Sequence, residues 1–147
     1  MSWSGNQRLL MTAEVVDAMV AHCLSAFPEE GCGLLVGVPG EARVVSSHPA
    51  QNITASARVY EVSPRDYLRI DREAEDAGLE VIGVYHSHTH TDAYPSPTDI
   101  ESAVDPSWHY VVVSLRHEVA STRSYRIVNA QVEEELIELT GTAEPNW

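Results

Sequence analysis

Three side chains between Tyr85 and Val104, His86, His88 and Asp99, have the types and the spacing to hold one metal ion. The two histidines close an apolar run, Val81-Ile82-Gly83-Val84-Tyr85, that reads as a buried strand. Residues i and i+2 of a strand share a face, so both imidazoles can reach one ion from one side. The chain then turns through Pro95, Ser96 and Pro97 into a short helix that puts Asp99 in its first turn. A helix N-terminus favours the charged form of a carboxylate, and a metal needs that form. Two nitrogens and one oxygen, with a fourth position left for water, describe a catalytic rather than a structural zinc site. His90 also has strand parity with His86 and His88 and leaves a three-histidine set open, but Thr89-His90-Thr91-Asp92 reads as the start of a loop. Ser96-Pro97-Thr98-Asp99 has the character of a capping box with Ser96 as cap. Thr98-Asp99-Ile100-Glu101 offers a competing box, and if Thr98 is the cap, Ser96 is free for other work.

The elements that must position these groups follow from the rest of the pattern. A short strand is expected at Leu9–Met11, then a helix capped by Thr12 and running to about Ala26. Its core face holds Val15, Val16, Met19, Val20, Cys23 and Leu24. Pro28-Glu29-Glu30-Gly31-Cys32-Gly33 reads as a turn into a strand at Leu34–Val38, with two carboxylates at its mouth. Further strands are expected at Arg43–Ser47 and Arg58–Val62, with a polar loop at Pro49–Ala57 between them. Ser63-Pro64-Arg65-Asp66 starts a helix that runs to Ala77 and is closed by Gly78, with Tyr67, Leu68, Ala74 and, less regularly, Ile70 facing the core. The helix after Pro97 ends near Val104, and Tyr110–Leu115 is a buried strand. Ser124–Val128 and Val132–Leu139 form a hairpin across Asn129-Ala130-Gln131. Strands in groups separated by helices predict an α/β or α+β sandwich with a central mixed sheet flanked by helices.

The chain of 147 residues is enough for one domain, expected over 8–140 with flexible termini at 1–7 and 141–147. Its net charge of −13 argues against nucleic acid and against an anionic membrane surface. Neither a secretory leader nor a membrane span is visible, and the two cysteines, Cys23 and Cys32, match no zinc-finger or disulfide framework. A cytoplasmic protein with reduced thiols is expected.

Taken together, His86-Ser87-His88, seven residues, Ser96, two residues and Asp99 resemble the JAMM motif of the MPN+ metalloprotease family. The family's upstream Pro-x-Glu-x-x-Gly segment is matched by Pro28 to Gly33, which selects Glu30 over Glu29. The resemblance runs from about Leu9 to Leu139. It is nearest to the compact bacterial branch of CysO-cysteine peptidase type, through Tyr85–Thr89, Ala93–Asp99, His109–Val111 and Arg123–Val128. It implies the deaminase-like MPN sandwich and one Zn²⁺ on His86, His88 and Asp99. Glu30 is implied as general base and acid, and Ser96 as donor to the oxyanion. The implied substrate is the C-terminal tail of a ubiquitin-like sulfur-carrier protein, from which cysteine or another amine is released, and a homodimer is compatible with this. A broader deubiquitinase-like isopeptidase and a non-catalytic MPN scaffold are the alternatives; the scaffold would lack ligands or the glutamate, which are all present. A zinc deaminase would need a Pro-Cys-x-x-Cys pair that the chain lacks. Ser87, on the opposite strand face, and Cys32 are read as structural. The loop Pro49–Ala57 is expected to help hold an extended tail by strand addition.

Overall fold

A computed structural model describes residues 7–141. The termini expected to be flexible lie outside the described residues except for Gln7, whose carbonyl accepts from Leu136 N at 3.0 Å, and Gly141. Seven strands and three helices follow in the order β1 (Arg8–Thr12), α1 (Ala13–Ala26), β2 (Cys32–Gly37), β3 (Val44–Ala50), α2 (Pro64–Asp76), β4 (Glu80–His88), α3 (Pro97–Ser102), β5 (His109–Ser114), β6 (Ser121–Val128) and β7 (Gln131–Thr140). The strands form one mixed sheet in the order β1-β7-β6-β5-β4-β2-β3. β4 sits near its middle, antiparallel to β2 and parallel to β5. The edge strands approach each other at one point, where Leu10 N donates to the Ala42 carbonyl at 2.9 Å.

The two helix starts obey local chemistry. Thr12 caps α1 through Val15 N, and Ser63 caps α2 through Asp66 N with Pro64 at the first helical position. Gly78, at φ 74°, follows the C-cap of α2, a conformation that costs other residues a Cβ clash. Asn129 and Ala130 both have positive φ, as a two-residue hairpin turn between right-twisted strands requires.

The sheet separates two apolar layers. On the α1 side Met19 and Cys23 pack on Leu9, Met11, Leu35, Ile82, Tyr85, Val111 and Val113. On the α2 side Ile70 and Ala74 pack on Leu34, Val36, Val84, Tyr110, Val112 and Ile127. Ile82 and Tyr85 share a layer although their spacing is odd. The register between β2 and β4 shifts at Leu35/Val36, and that irregularity turns the face of β4 over. Beyond it His86 and His88 follow Val84 toward the α2 side, while Tyr85 and Ser87 face α1.

Several expectations are corrected. Arg58–Val62 is not a strand: among the described residues its β pairing is confined to one isolated bridge, Asn52↔Val62. Pro49 and Ala50 belong to β3, and Cys32 and Gly33 belong to β2 rather than to the preceding turn. On α2 it is Ile70 that is fully buried, while Tyr67 and Leu68 are exposed, and Leu24 of α1 is exposed too. Each sheet layer covers only part of its helix, so periodicity overstated the buried stripe. The last residues before Val104 leave the helix at Ser102.

Candidate active site

The ends of β4 and α3 bring His86, His88 and Asp99 into one buried cluster. His86 Nε2 lies 3.1 Å and His88 Nε2 2.9 Å from Asp99 Oδ2, and the two nitrogens are 3.2 Å apart. Donors about 2.0–2.1 Å from one tetrahedral ion lie roughly 3.3 Å from each other, so these separations and this donor set fit a divalent metal. His88 Nδ1 lies 2.9 Å from the Asp92 carbonyl. A carbonyl can only accept, so Nδ1 carries the proton and the Nε2 lone pair is free for an ion. Among the described residues His90 falls outside the group: its Nδ1 pairs with Thr89 Oγ1 at 2.9 Å and its ring is exposed.

Asp99 reaches the cluster because α3 is capped at Ser96. Ser96 Oγ accepts from Asp99 N at 3.1 Å, and Asp99 Oδ2 accepts from Ser96 N at 2.8 Å, a complete capping box. The competing cap at Thr98 is therefore not used. The cap bond occupies one lone pair of the Ser96 hydroxyl and leaves its O–H free to donate into the adjoining cavity. Burial pushes the Asp99 carboxyl up, but the two adjacent imidazoles and the hydrogen bond from Ser96 N outweigh it and hold the group well below the usual carboxylate range. Burial lowers His86, against the pull of Asp99. Burial also lowers His88, but Asp99 and the Asp92 carbonyl raise it further, and the net direction is up.

Glu30 stands across the cavity. It is 4% exposed, and its Oε1 is a buried oxygen with no hydrogen-bond partner among the described residues. Burial, opposed by His88 and reinforced by Asp99, pushes its pKa up to about 8. Its backbone is pinned on both sides. Glu30 N donates to the Ser56 carbonyl at 2.7 Å, and its own carbonyl accepts from Asn52 Nδ2 at 3.0 Å. The next residue is tied to β4, with Gly31 N donating to Ser87 Oγ at 2.8 Å and Ser87 N to the Gly31 carbonyl at 2.9 Å. Ser87 thus points away from the cluster, as its parity required, and locks the segment that carries Glu30. Cys32 is buried, and burial drives its thiol up to about 12, which leaves it unreactive.

A cavity of about 530 Å³ joins these groups, lined by Glu30, Ala57, Arg58, His88, Thr89, His90, Thr91 and Ser96. One wall is the segment after β3, and three of its residues have no functional role assigned from the sequence. Asn52 organises it: Oδ1 accepts from Thr54 N, Thr54 Oγ1 and Glu61 N, while Nδ2 donates to Glu30 and Val59 carbonyls. Its signal was present as Asn-x-Thr, a turn former as well as a glycosylation sequon. Tyr60, which stacks on His86, and Arg58 gave no sequence signal.

The described helices include none long and apolar enough to cross a membrane. The family described as "Prokaryotic homologs of the JAB domain" matches residues 12–128. The CysO-cysteine peptidase of Mycobacterium tuberculosis is 43% identical over 131 residues, 86% of this chain and 88% of the relative. A desampylase of Haloferax volcanii is 35% identical over 114 residues, 74% of this chain and 82% of the relative. Among solved structures, protein DSY2949 of Desulfitobacterium hafniense superposes with a TM-score of 0.84 at 32% identity, covering 92% of this chain and 94% of that one.

Proposed function

This chain belongs to the prokaryotic JAB-domain family of JAMM-type metallopeptidases, and from that membership we propose that it hydrolyses the amide bond after the C-terminal glycine of a ubiquitin-like sulfur-carrier protein, releasing cysteine. The observation that carries the reading is the unpartnered Glu30 carboxylate oxygen facing the same cavity as His88 and Ser96. A buried acceptor left without a partner costs roughly 1–3 kcal/mol and persists where a reacting group will supply one.

His86, His88 and Asp99 would hold one Zn²⁺. When bound, the ion supplies Lewis acidity, which makes water a nucleophile near neutral pH and polarises an amide carbonyl. The protein does the rest. Glu30 accepts a proton from water as its oxygen adds to the glycine carbonyl, and returns a proton to the departing amine as the C–N bond breaks. The products are the carrier's glycine carboxylate and a free amine. Ser96 donates its O–H to the carbonyl oxygen as that atom becomes negative. The Asn52, Ser56 and Ser87 bonds keep the Glu30 backbone from drifting as its carboxyl changes charge.

The test is to load the protein and its Glu30→Gln variant with zinc and follow a ubiquitin-like carrier bearing a C-terminal cysteine by intact mass. The wild type is expected to remove the cysteine and the variant to bind metal without cleaving. Zinc-loaded wild type that leaves the adduct intact would sink the reading. The likeness to a desampylase favours a second reading, removal of a ubiquitin-like modifier from lysine, and an isopeptide-linked conjugate in the same assay separates the two. The site lies within one chain, so neither reading requires a dimer. The free thiols of Cys23 and Cys32 suit a reducing, cytoplasmic compartment.

A further inference from the structure

We propose that Arg58 recognises the free α-carboxylate of the residue that leaves, and so makes the site selective for a single C-terminal amino acid over an internal lysine linkage. The inference rests on the peptidase reading and adds a substrate determinant to it.

Cleavage of a one-residue adduct puts an anion into this cavity. The carboxylate of that residue lies within about 4 Å of its own nitrogen, so it must enter beside Glu30, where the nitrogen collects its proton. The surroundings are hostile to it: Glu30 shares the wall, and the chain carries a net charge of −13. An uncompensated second carboxylate beside Glu30 is disfavoured by like-charge repulsion. Among the described residues Arg58 is the one arginine that lines the cavity.

Its side chain is also available. Arg8, Arg43, Arg69, Arg116 and Arg123 are all committed to Asp or Glu partners within 4 Å. Among the described residues Arg58 has no such partner and is exposed. The backbone that carries it is nonetheless fixed. Arg58 N donates to Ser56 Oγ at 3.0 Å, the Ser56 carbonyl accepts from Glu30 N, and the Ala57 carbonyl accepts from Thr89 Oγ1 at 3.3 Å. The guanidinium therefore springs from a segment tied to the proton-transfer residue on one side and to the neighbour of His88 on the other. A planar fork of N–H donors is matched to a carboxylate. A lysine side chain linked within a protein offers no carboxylate at that position.

The test uses binding as well as turnover. Two synthetic tail peptides ending in Gly-Gly-Cys, one with a free carboxylate and one with a carboxamide, are titrated calorimetrically into zinc-loaded Glu30→Gln protein. The carboxylate form is expected to bind about ten-fold or more tightly than the carboxamide, the scale of a charge-assisted hydrogen bond. Adding Arg58→Gln should bring the ratio of the two affinities close to one, while Arg65→Gln, an arginine outside the cavity, keeps it. In the Glu30 background the ratio of kcat/KM for the two peptides should follow the same pattern. Equal binding of the two peptides, or an Arg58→Gln effect that weakens both alike, would overturn the proposal and make Arg58 a contact for the shared tail. A wild type that binds with the preference but cleaves neither peptide would refute the peptidase reading while leaving Arg58 as a carboxylate receptor.

Discussion

Tyr60 lies against His86 with ring centroids 4.2 Å apart and planes 18° from parallel. The contact joins two parts of the site that are remote in sequence, the segment after β3 and the end of β4. It fixes one imidazole by covering its face. Tyr60→Ala should therefore loosen metal binding about ten-fold, on the scale of losing a group that orients a ligand, and Tyr60→Phe should change it little because stacking does not use the hydroxyl. Competition against a zinc chelator measures both, and equal affinity in all three proteins would remove the orienting role.

Glu30 makes metal-free stability depend on pH in a predictable direction. Its pKa is about 8 in the folded protein against an ordinary 4.5. Below the lower value both states hold the proton. As pH rises from there to about 8 the unfolded chain releases it and the folded chain keeps it, so rising pH favours unfolding. The contribution to stability is present at low pH and lost by about pH 8. Urea melts of chelator-treated wild type and Glu30→Gln should show the wild type losing ground to the variant between pH 5 and pH 8. A constant difference across that range would contradict the burial argument.

Ser96 has two jobs, and its substitution should expose both. Ser96→Ala removes the cap of α3, at a cost of about 1 kcal/mol, and removes the proposed donor to the developing oxyanion, at a cost of roughly 100- to 1,000-fold in kcat. Thermal melts and steady-state kinetics on the metal-loaded protein separate the two. A kcat within a few-fold of wild type would leave Ser96 as a cap alone.

Asn52 uses both its amide oxygen and its amide nitrogen to hold the cavity wall. Asn52→Ala should destabilise the fold by about 1–3 kcal/mol and lower kcat by freeing the Glu30 backbone. Asn52→Asp keeps the acceptor but loses the donor to the Glu30 carbonyl, and should still lower kcat. Hydrogen exchange at Glu30 N, bonded to Ser56, reports the loosening directly. Unchanged exchange in both variants would show that the wall holds without it.

Removing the metal should leave the strands in place but weaken the corner where α3 meets β4. Three donors built for one ion lose its binding energy, and apparent stability should rise with added zinc by mass action. A melting temperature that zinc does not move would argue against the three-donor site.

The candidate metal-binding triad was legible because its members sit on two local rules: alternation along β4 for His86 and His88, and helix capping for Asp99. The caps at Thr12, Ser63 and Ser96 and the hairpin at Asn129-Ala130 are local for the same reason, since a few neighbouring dihedrals decide them. Glu30 was given a role by the family pattern; local chemistry marked only two carboxylates at the mouth of a strand, with Glu29 read as a solvated turn residue. What brought it to the cluster was the pairing of Cys32 with His86 across β2 and β4, a register that no periodicity in either strand encodes. The face reversal in β4, the burial of Ile70 in place of Leu68, and the arrival of Asn52, Arg58 and Tyr60 around the cavity have the same origin. They depend on contacts between segments far apart in the chain, whose geometry is settled only when the sheet closes and the two apolar layers pack.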